Sequence, residues 1–137
     1  FNYESPIING DGSQAYDFIY VEDVARCNVE ALKSDTKFGM YNVGTEVQTS
    51  IKELCDTILS LKMSDLKVTY KPYSEDDARA LVQNRIGSRV KAEKELGFLY
   101  KYSLREGLQK LIDSRGTVSH RPTHEWERYD GRVYQSY

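Results

Sequence analysis

The sequence lacks the marks of several protein classes. Its only cysteines, Cys27 and Cys55, fall among apolar residues on predicted helix faces, so both are expected as small core thiols. A disulfide would need the two helices to face each other closely, and a cytosolic setting argues against one. Positive charge is not in excess: 19 Lys and Arg stand against 21 Asp and Glu, for a formal charge of −2. No nucleic-acid partner is expected. No apolar run approaches the length of a membrane span, so no membrane partner is expected either. A metal site also lacks its ligands. His120 and His124 are spaced as on a helix, but Pro122 interrupts them and no Cys or acid cluster completes a tetrahedral set. The acidic run Glu75-Asp76-Asp77 reads as a solvated loop. Internal repeats and low-complexity tracts are missing.

What remains is one domain's worth of chain, 137 residues. A chain of this size buries roughly two thirds of its unfolded surface. The apolar content is modest at 39%, and eleven tyrosines carry much of it. Residues Pro6–Asn9 read as a short strand and Gly10-Asp11-Gly12 as a turn. Asp17–Val21 is aromatic and β-branched, a strand by propensity. Glu22 and Asp23 then open a helix, where acids complement the dipole. Val24, Cys27, Ala31 and Leu32 are its expected inward face. Phe38–Val43 is the next predicted strand.

Ser50-Ile51-Lys52-Glu53 is a capping box, and Ile51, Leu54, Cys55, Ile58 and Leu59 form an amphipathic stripe behind it. Leu66–Lys71 alternates as a strand, and Ala80–Ile86 is a weaker one. Ser74–Arg79 reads as a polar loop. Ser88 is expected to cap a helix that Gly97 closes in left-handed conformation. Ser103 and Glu106 form a second capping box, ahead of Leu104, Leu108, Leu111 and Ile112. After Gly116 the period stops. Strands alternating with helices predict an α/β fold of few, short strands. The expected division is 1–116 for the folded portion and 117–137 for a polar tail.

Gly10-x-Gly12-x-x-Ala15 matches a dinucleotide-binding pattern. That pattern requires the turn to open a helix whose N-terminus meets the pyrophosphate. Here strand formers follow, so a plain turn is expected and this chain is expected to bind no cofactor.

The segment GDGSQAYDFIYVEDVA resembles the extended short-chain dehydrogenase/reductase family, on the side of its UDP-glucose 4-epimerase-like epimerases and dehydratases. MYNVGTEVQTSIKEL, LVQNRIGSRVKAEKELGF and SLREGLQKLID are similar to three further family blocks, in order and spacing. The resemblance covers about residues 6–115. It implies a Rossmann domain holding NAD or NADP in a full-length parent, and a smaller domain gripping a nucleotide diphospho-sugar. This chain is similar to the smaller domain, a C-terminal substrate-binding portion, with the Rossmann half absent. None of its tyrosines has a Lys four residues on, so the family's Tyr-x-x-x-Lys base has no candidate and no catalytic residue is assigned. The Phe1 start and the missing motifs lead to the expectation of a fragment.

A diphosphate calls for fixed cations, and Arg offers two parallel bonds to its oxygens. The resemblance places one such Arg just before the DFIYVED strand, where this chain has Tyr16. A second lies ahead of the KAEKELGF helix. Arg79 and Arg85 both fit that stretch, and Arg85 is favoured because it leads directly to the helix. Gln83 is a polar neighbour, and Tyr16 can hydrogen-bond or stack. Glu46 stands where the family has a second glycine, which implies a somewhat different turn. The expected partners are a nucleotide diphospho-sugar and the missing Rossmann half, with a homodimer as a candidate assembly in the cytoplasm. A reductase or decarboxylase of the same family, or a non-catalytic binding module derived from it, are the alternatives.

Overall fold

The computed structural model describes residues 4–74 and 82–117. Ile7–Asn9 forms β1, Ala15–Asp17 β2, Val21–Lys33 α1, Gln48–Ser50 β3, Ile51–Leu61 α2, Thr69–Lys71 β4, Asn84–Arg85 β5, Val90–Leu96 α3 and Leu104–Thr117 α4. The α/β alternation is therefore as the sequence predicts. The strands make two small sheets. In one, β1 runs parallel to β4, with Ile8 opposite Tyr70. In the other, β2 lies between antiparallel β3 and parallel β5.

Strand limits differ from the expected ones. The strand predicted over Asp17–Val21 ends at Asp17, and Val21 already begins α1. The Tyr20 carbonyl accepts the amides of Asp23 and Val24 at 3.0 and 3.3 Å, so helical bonding starts at once behind the two acids. Pairing across to β1 confines the 66–71 strand to Thr69–Lys71, and the 80–86 strand is reduced to Asn84–Arg85 among the described residues. Phe38–Val43 forms no strand: among the described residues it has no ladder partner.

Asp23 joins distant parts of the chain. It has no solvent exposure. Its carboxylate accepts the amides of Lys101 at 2.9 Å and Tyr102 at 3.1 Å, and pairs with Arg26. Arg26 in turn donates to the Leu99 carbonyl at 2.9 Å. Burial alone would raise the Asp23 pKa. The amide of Tyr102, the Arg26 guanidinium and the amide of Lys101 outweigh it and hold the carboxyl below its usual value.

Behind this clamp lies the core. Cys27 of α1 meets Ala92 and Leu96 of α3 and the following Phe98, with Ile19, Ala31, Tyr41, Val43 and Tyr100 around them. Leu32, expected inward, is 87% exposed. It follows Ala31 by one residue, about 100° around the helix and away from the core. Val24 is only half-buried. Both cysteines are free, and burial pushes both thiol pKa values up.

The two capping boxes form as expected. Glu53 donates its amide to Ser50 Oγ and returns its carboxylate to the Ser50 amide. Ser103 and Glu106 do the same at α4. Arg89, not the expected Ser88, is the N-cap residue of α3 and makes no side-chain cap bond; one residue earlier, Ser88 Oγ accepts the Val90 amide at 3.4 Å while its hydroxyl donates to Glu46. Gly97 closes α3 at φ 67°, as expected. On α4, Leu104, Leu108 and Ile112 are half-buried, but Leu111 is 48% exposed. This helix runs to Thr117, one residue into the predicted tail, and residues 118–137 lie outside the described residues. His120, His124 and the Glu75–Asp77 run also lie outside them. Among the described residues there is no metal-ligand cluster, and no helix long and apolar enough to cross a membrane.

Candidate functional site

Three of the four residues singled out from sequence come together on one strand pair. In the parallel register of β2 and β5, Tyr16 lies opposite Arg85. Side chains at matched positions of neighbouring strands share a face of the sheet. The pair is held by the Ala15 amide, which donates to the Gln83 carbonyl at 2.9 Å. The Gln83 side chain reaches back to Ser13 Oγ at 2.8 Å, and Ser13 is itself bonded to Asp11. Gln83 thus fastens the glycine turn to the approach of β5. Arg79, the fourth residue, lies outside the described residues.

Tyr16 uses its hydroxyl on the Val82 carbonyl, at 3.1 Å. Its ring meets Phe18 edge-on, with centroids 6.2 Å apart. What it retains for a ligand is a ring face, without charge. Arg85 is exposed, and among the described residues no acid pairs with its guanidinium. An exposed, unpaired guanidinium beside an anchored aromatic ring can take an anion and stack a planar group.

A second network supports this strand pair, and sequence reasoning missed most of it. The Asp17 carboxylate on β2 accepts the Thr45 amide at 2.9 and 3.0 Å, the Thr45 hydroxyl at 2.6 Å and the Glu46 amide at 2.9 Å. Gly44 is required beside it, since a Cβ there would lie 2.4 Å from Asp17 Oδ2. Glu46 takes the left-handed φ of 62°. The turn thus has a conformation that favours glycine, with an acid at that position. The Glu46 carboxylate accepts the Ser88 hydroxyl and the Arg89 amide, each at 3.0 Å. Arg89 donates to the Thr45 carbonyl at 2.6 Å and lies 4.9 Å over the Tyr100 ring. The chain immediately after Arg85 is therefore tied to the turn that Asp17 holds. The only signal in the sequence was Glu46 itself, an acid at a turn position favouring glycine.

The glycine turn does not fit a dinucleotide. Gly10 and Gly12 have φ of 82° and 76°, and the chain passes from them into β2, not into a helix. The helix that does point at the turn is α2. Its first amides are already used: Ile51 donates to the Gln14 carbonyl at 3.0 Å and Lys52 to the Gly12 carbonyl at 3.1 Å. Glu53 donates to Ser50. No free N-terminal donors remain there for a pyrophosphate. A Cβ on Gly10 would lie 2.1 Å from the Tyr73 ring, so close packing, not a ligand, accounts for that glycine.

Comparison with known proteins gives a consistent picture. Residues 2–44 match the model of the NAD dependent epimerase/dehydratase family. The chain is 34% identical over 110 residues to a putative UDP-glucose 4-epimerase of Methanocaldococcus jannaschii, covering 80% of this chain and 34% of that protein. It is 29% identical over 105 residues to UDP-glucuronic acid decarboxylase 1 of Arabidopsis thaliana, covering 77% of this chain and 23% of that one. Its fold superposes on the crystal structure of the Thermotoga maritima UDP-glucose 4-epimerase with UDP-glucose. The TM-score is 0.75 at 31% identity, over 85% of this chain and 37% of that one. The chain spans about a third of the length of the curated relatives it matches, or less.

Proposed function

Since this chain belongs to the extended short-chain dehydrogenase/reductase family, with the NAD-dependent epimerases and dehydratases, we propose that it forms the nucleotide-sugar-binding portion of such an enzyme. The observation that carries this reading is the register of Tyr16 opposite Arg85, with Gln83 locking the approach. Arg85 supplies charge and a planar fork for a diphosphate. The anchored Tyr16 ring supplies a surface for a base. Arg79 belongs to the same reading as a second cation from the neighbouring stretch. In this role the chain binds and orients, and holds no reacting atom. NAD or NADP belongs to the remainder of a full-length enzyme, because the Gly10–Gly12 turn offers it no cradle. Epimerisation of a UDP-sugar is the reaction best supported by the relatives. Decarboxylation is the alternative, favoured by the likeness to the Arabidopsis decarboxylase.

The test is an NMR titration of the 137-residue chain with UDP and UDP-glucose. Amide shifts are expected to saturate around Tyr16, Gln83 and Arg85. Arg85→Ala is expected to weaken binding roughly 10-fold or more, as for a lost charge-assisted bond pair. Shifts confined to other elements, or an affinity unchanged by Arg85→Ala, would remove this face as the site.

A further inference from the structure

A groove of about 260 Å³ lies between α2, α4 and the chain that enters α1. Phe18 and Ile19 line it with Leu54 of α2 and Leu104, Leu108 and Leu111 of α4. Leu111 is 48% exposed, and Val21, which also lines it, 68%. The two polar side chains in the lining are already engaged. The Tyr20 hydroxyl donates to Glu22 at 3.3 Å, and the Ser103 hydroxyl to Glu106 at 2.6 Å. The groove therefore offers little to orient a polar ligand, and its volume is below the ~300 Å³ at which small-molecule sites begin. The space suits one large apolar side chain.

The face of α4 that lines the groove also carries charge. Leu104, Leu108, Leu111 and Arg115 follow one another at helical spacing along one face, and Arg115 is exposed in the last turn. Lys110 lies beside Leu111, its Nζ 5.8 Å from the centre of the Tyr20 ring and 3.4 Å from Glu22. At Thr117 the helix hands the chain on to residues 118–137. These hold the single tryptophan of the sequence, Trp126, between Glu125 and Glu127.

We propose that Trp126 seats in this groove, with residues 118–126 returning along α4. The reach is sufficient. Leu108 is nine residues back from Thr117 in the helix, about 14 Å. Trp126 is nine residues beyond Thr117, and extended chain of that length spans up to about 30 Å. The charges match, since the two acids beside Trp126 meet Lys110 and Arg115 at the groove's edge. An indole buries a large ring and keeps its one N–H at the open mouth. Tyr129 and Tyr134 would each bring a hydroxyl into an apolar lining, and neither stands between two acids. Seated there, Trp126 covers Phe18, the ring that Tyr16 meets at 6.2 Å. The inference needs no ligand and is independent of the Tyr16–Arg85 reading.

The fluorescence of this one tryptophan reports the seat directly, with the synthetic peptide 118–137 as the open reference. In the 137-residue chain the emission is expected to lie to the blue of the peptide's. Quenching by acrylamide is expected to be about threefold weaker, as for an indole with most of its surface covered. NOEs are expected from the indole to the Leu108 and Leu111 methyl groups. Leu111→Glu and Val21→Asp place a charge at positions exposed enough for the fold to survive it. Each is expected to return both fluorescence readings to the peptide's values, with circular dichroism unchanged. Peptide-like emission and quenching in the intact chain would overturn the proposal. So would shielding without those NOEs, or shielding that both folded variants keep. Shielding lost on dilution would place Trp126 in the groove of a second copy and would overturn it as well.

Discussion

A carboxylate withdrawn from water persists only where donors meet its oxygens. For Asp23 these donors are two amides, from Lys101 and Tyr102, and the Arg26 guanidinium. Asp23→Asn keeps the shape but loses the charge and turns an N–H group toward donors. A stability loss of about 2–3 kcal/mol is expected, read from the urea midpoint at neutral pH. The pH dependence has a defined sign. The folded pKa lies below the ordinary 3.8, so the stabilisation is complete above that value and is lost as pH falls through the lowered one. The Asn variant is therefore expected to lose less stability than the native chain on acidification below about pH 4. Glu46 gives the second prediction at this scale. Its left-handed φ strains any residue with a Cβ, while its carboxylate holds Ser88 and Arg89. Glu46→Ala keeps the strain and loses the bonds, whereas Glu46→Gly loses the bonds but relieves the strain. Both variants are expected to be less stable than the native chain, with Gly the better of the two by about 1 kcal/mol in thermal melts. Of these two residues the sequence showed only part. Asp23 was readable as a helix-dipole acid, but its partner amides lie 78 and 79 positions away, beyond any local pattern.

Elements whose signals are local were readable; those made by distant pairing were not. Both capping boxes close within four residues, and both appear where the sequence puts them. Ser103→Ala removes the acceptor for the Glu106 amide and is expected to cost about 1 kcal/mol, with fraying of the first turn of α4 visible as faster amide exchange there. Strand limits were harder, because β2 is defined by partners at Gln48–Ser50 and Asn84–Arg85. The strong propensity of Phe18–Tyr20 is overridden where the chain leaves the sheet to begin α1. Phe38–Val43 shows the reverse case. Its propensity and alternation are those of a strand, but a ladder needs a second strand, and the described residues supply none. The N-cap of α3 falls at Arg89, one residue later than expected, where the Glu46 carboxylate from a turn more than forty residues earlier takes the Ser88 hydroxyl and the Arg89 amide. The site followed the same division. Tyr16, Gln83 and Arg85 were named from the family blocks and do adjoin one another, while the Asp17–Thr45–Glu46–Arg89 support is built from three separate segments.

At the scale of the molecule, the proposed function separates binding from chemistry. The described residues place the exposed Arg85 guanidinium and the anchored Tyr16 ring side by side, the pair on which the proposed nucleotide-sugar binding rests. The same chain has no tyrosine followed four residues later by lysine, and its glycine turn spends the nearby helix amides on its own carbonyls. Orientation of a substrate lowers a barrier only when a reacting group is oriented with it. The 137-residue chain, incubated with UDP-glucose and NAD, is therefore expected to yield no C4 epimer above the uncatalysed background, by chromatography of the sugar nucleotides. Saturable UDP binding in that sample would separate a competent binding face from an unfolded one. Turnover by the purified chain would sink the division of labour, and would require a proton-transfer group other than the family's Tyr–Lys pair. Binding without turnover would leave the catalytic groups outside this chain.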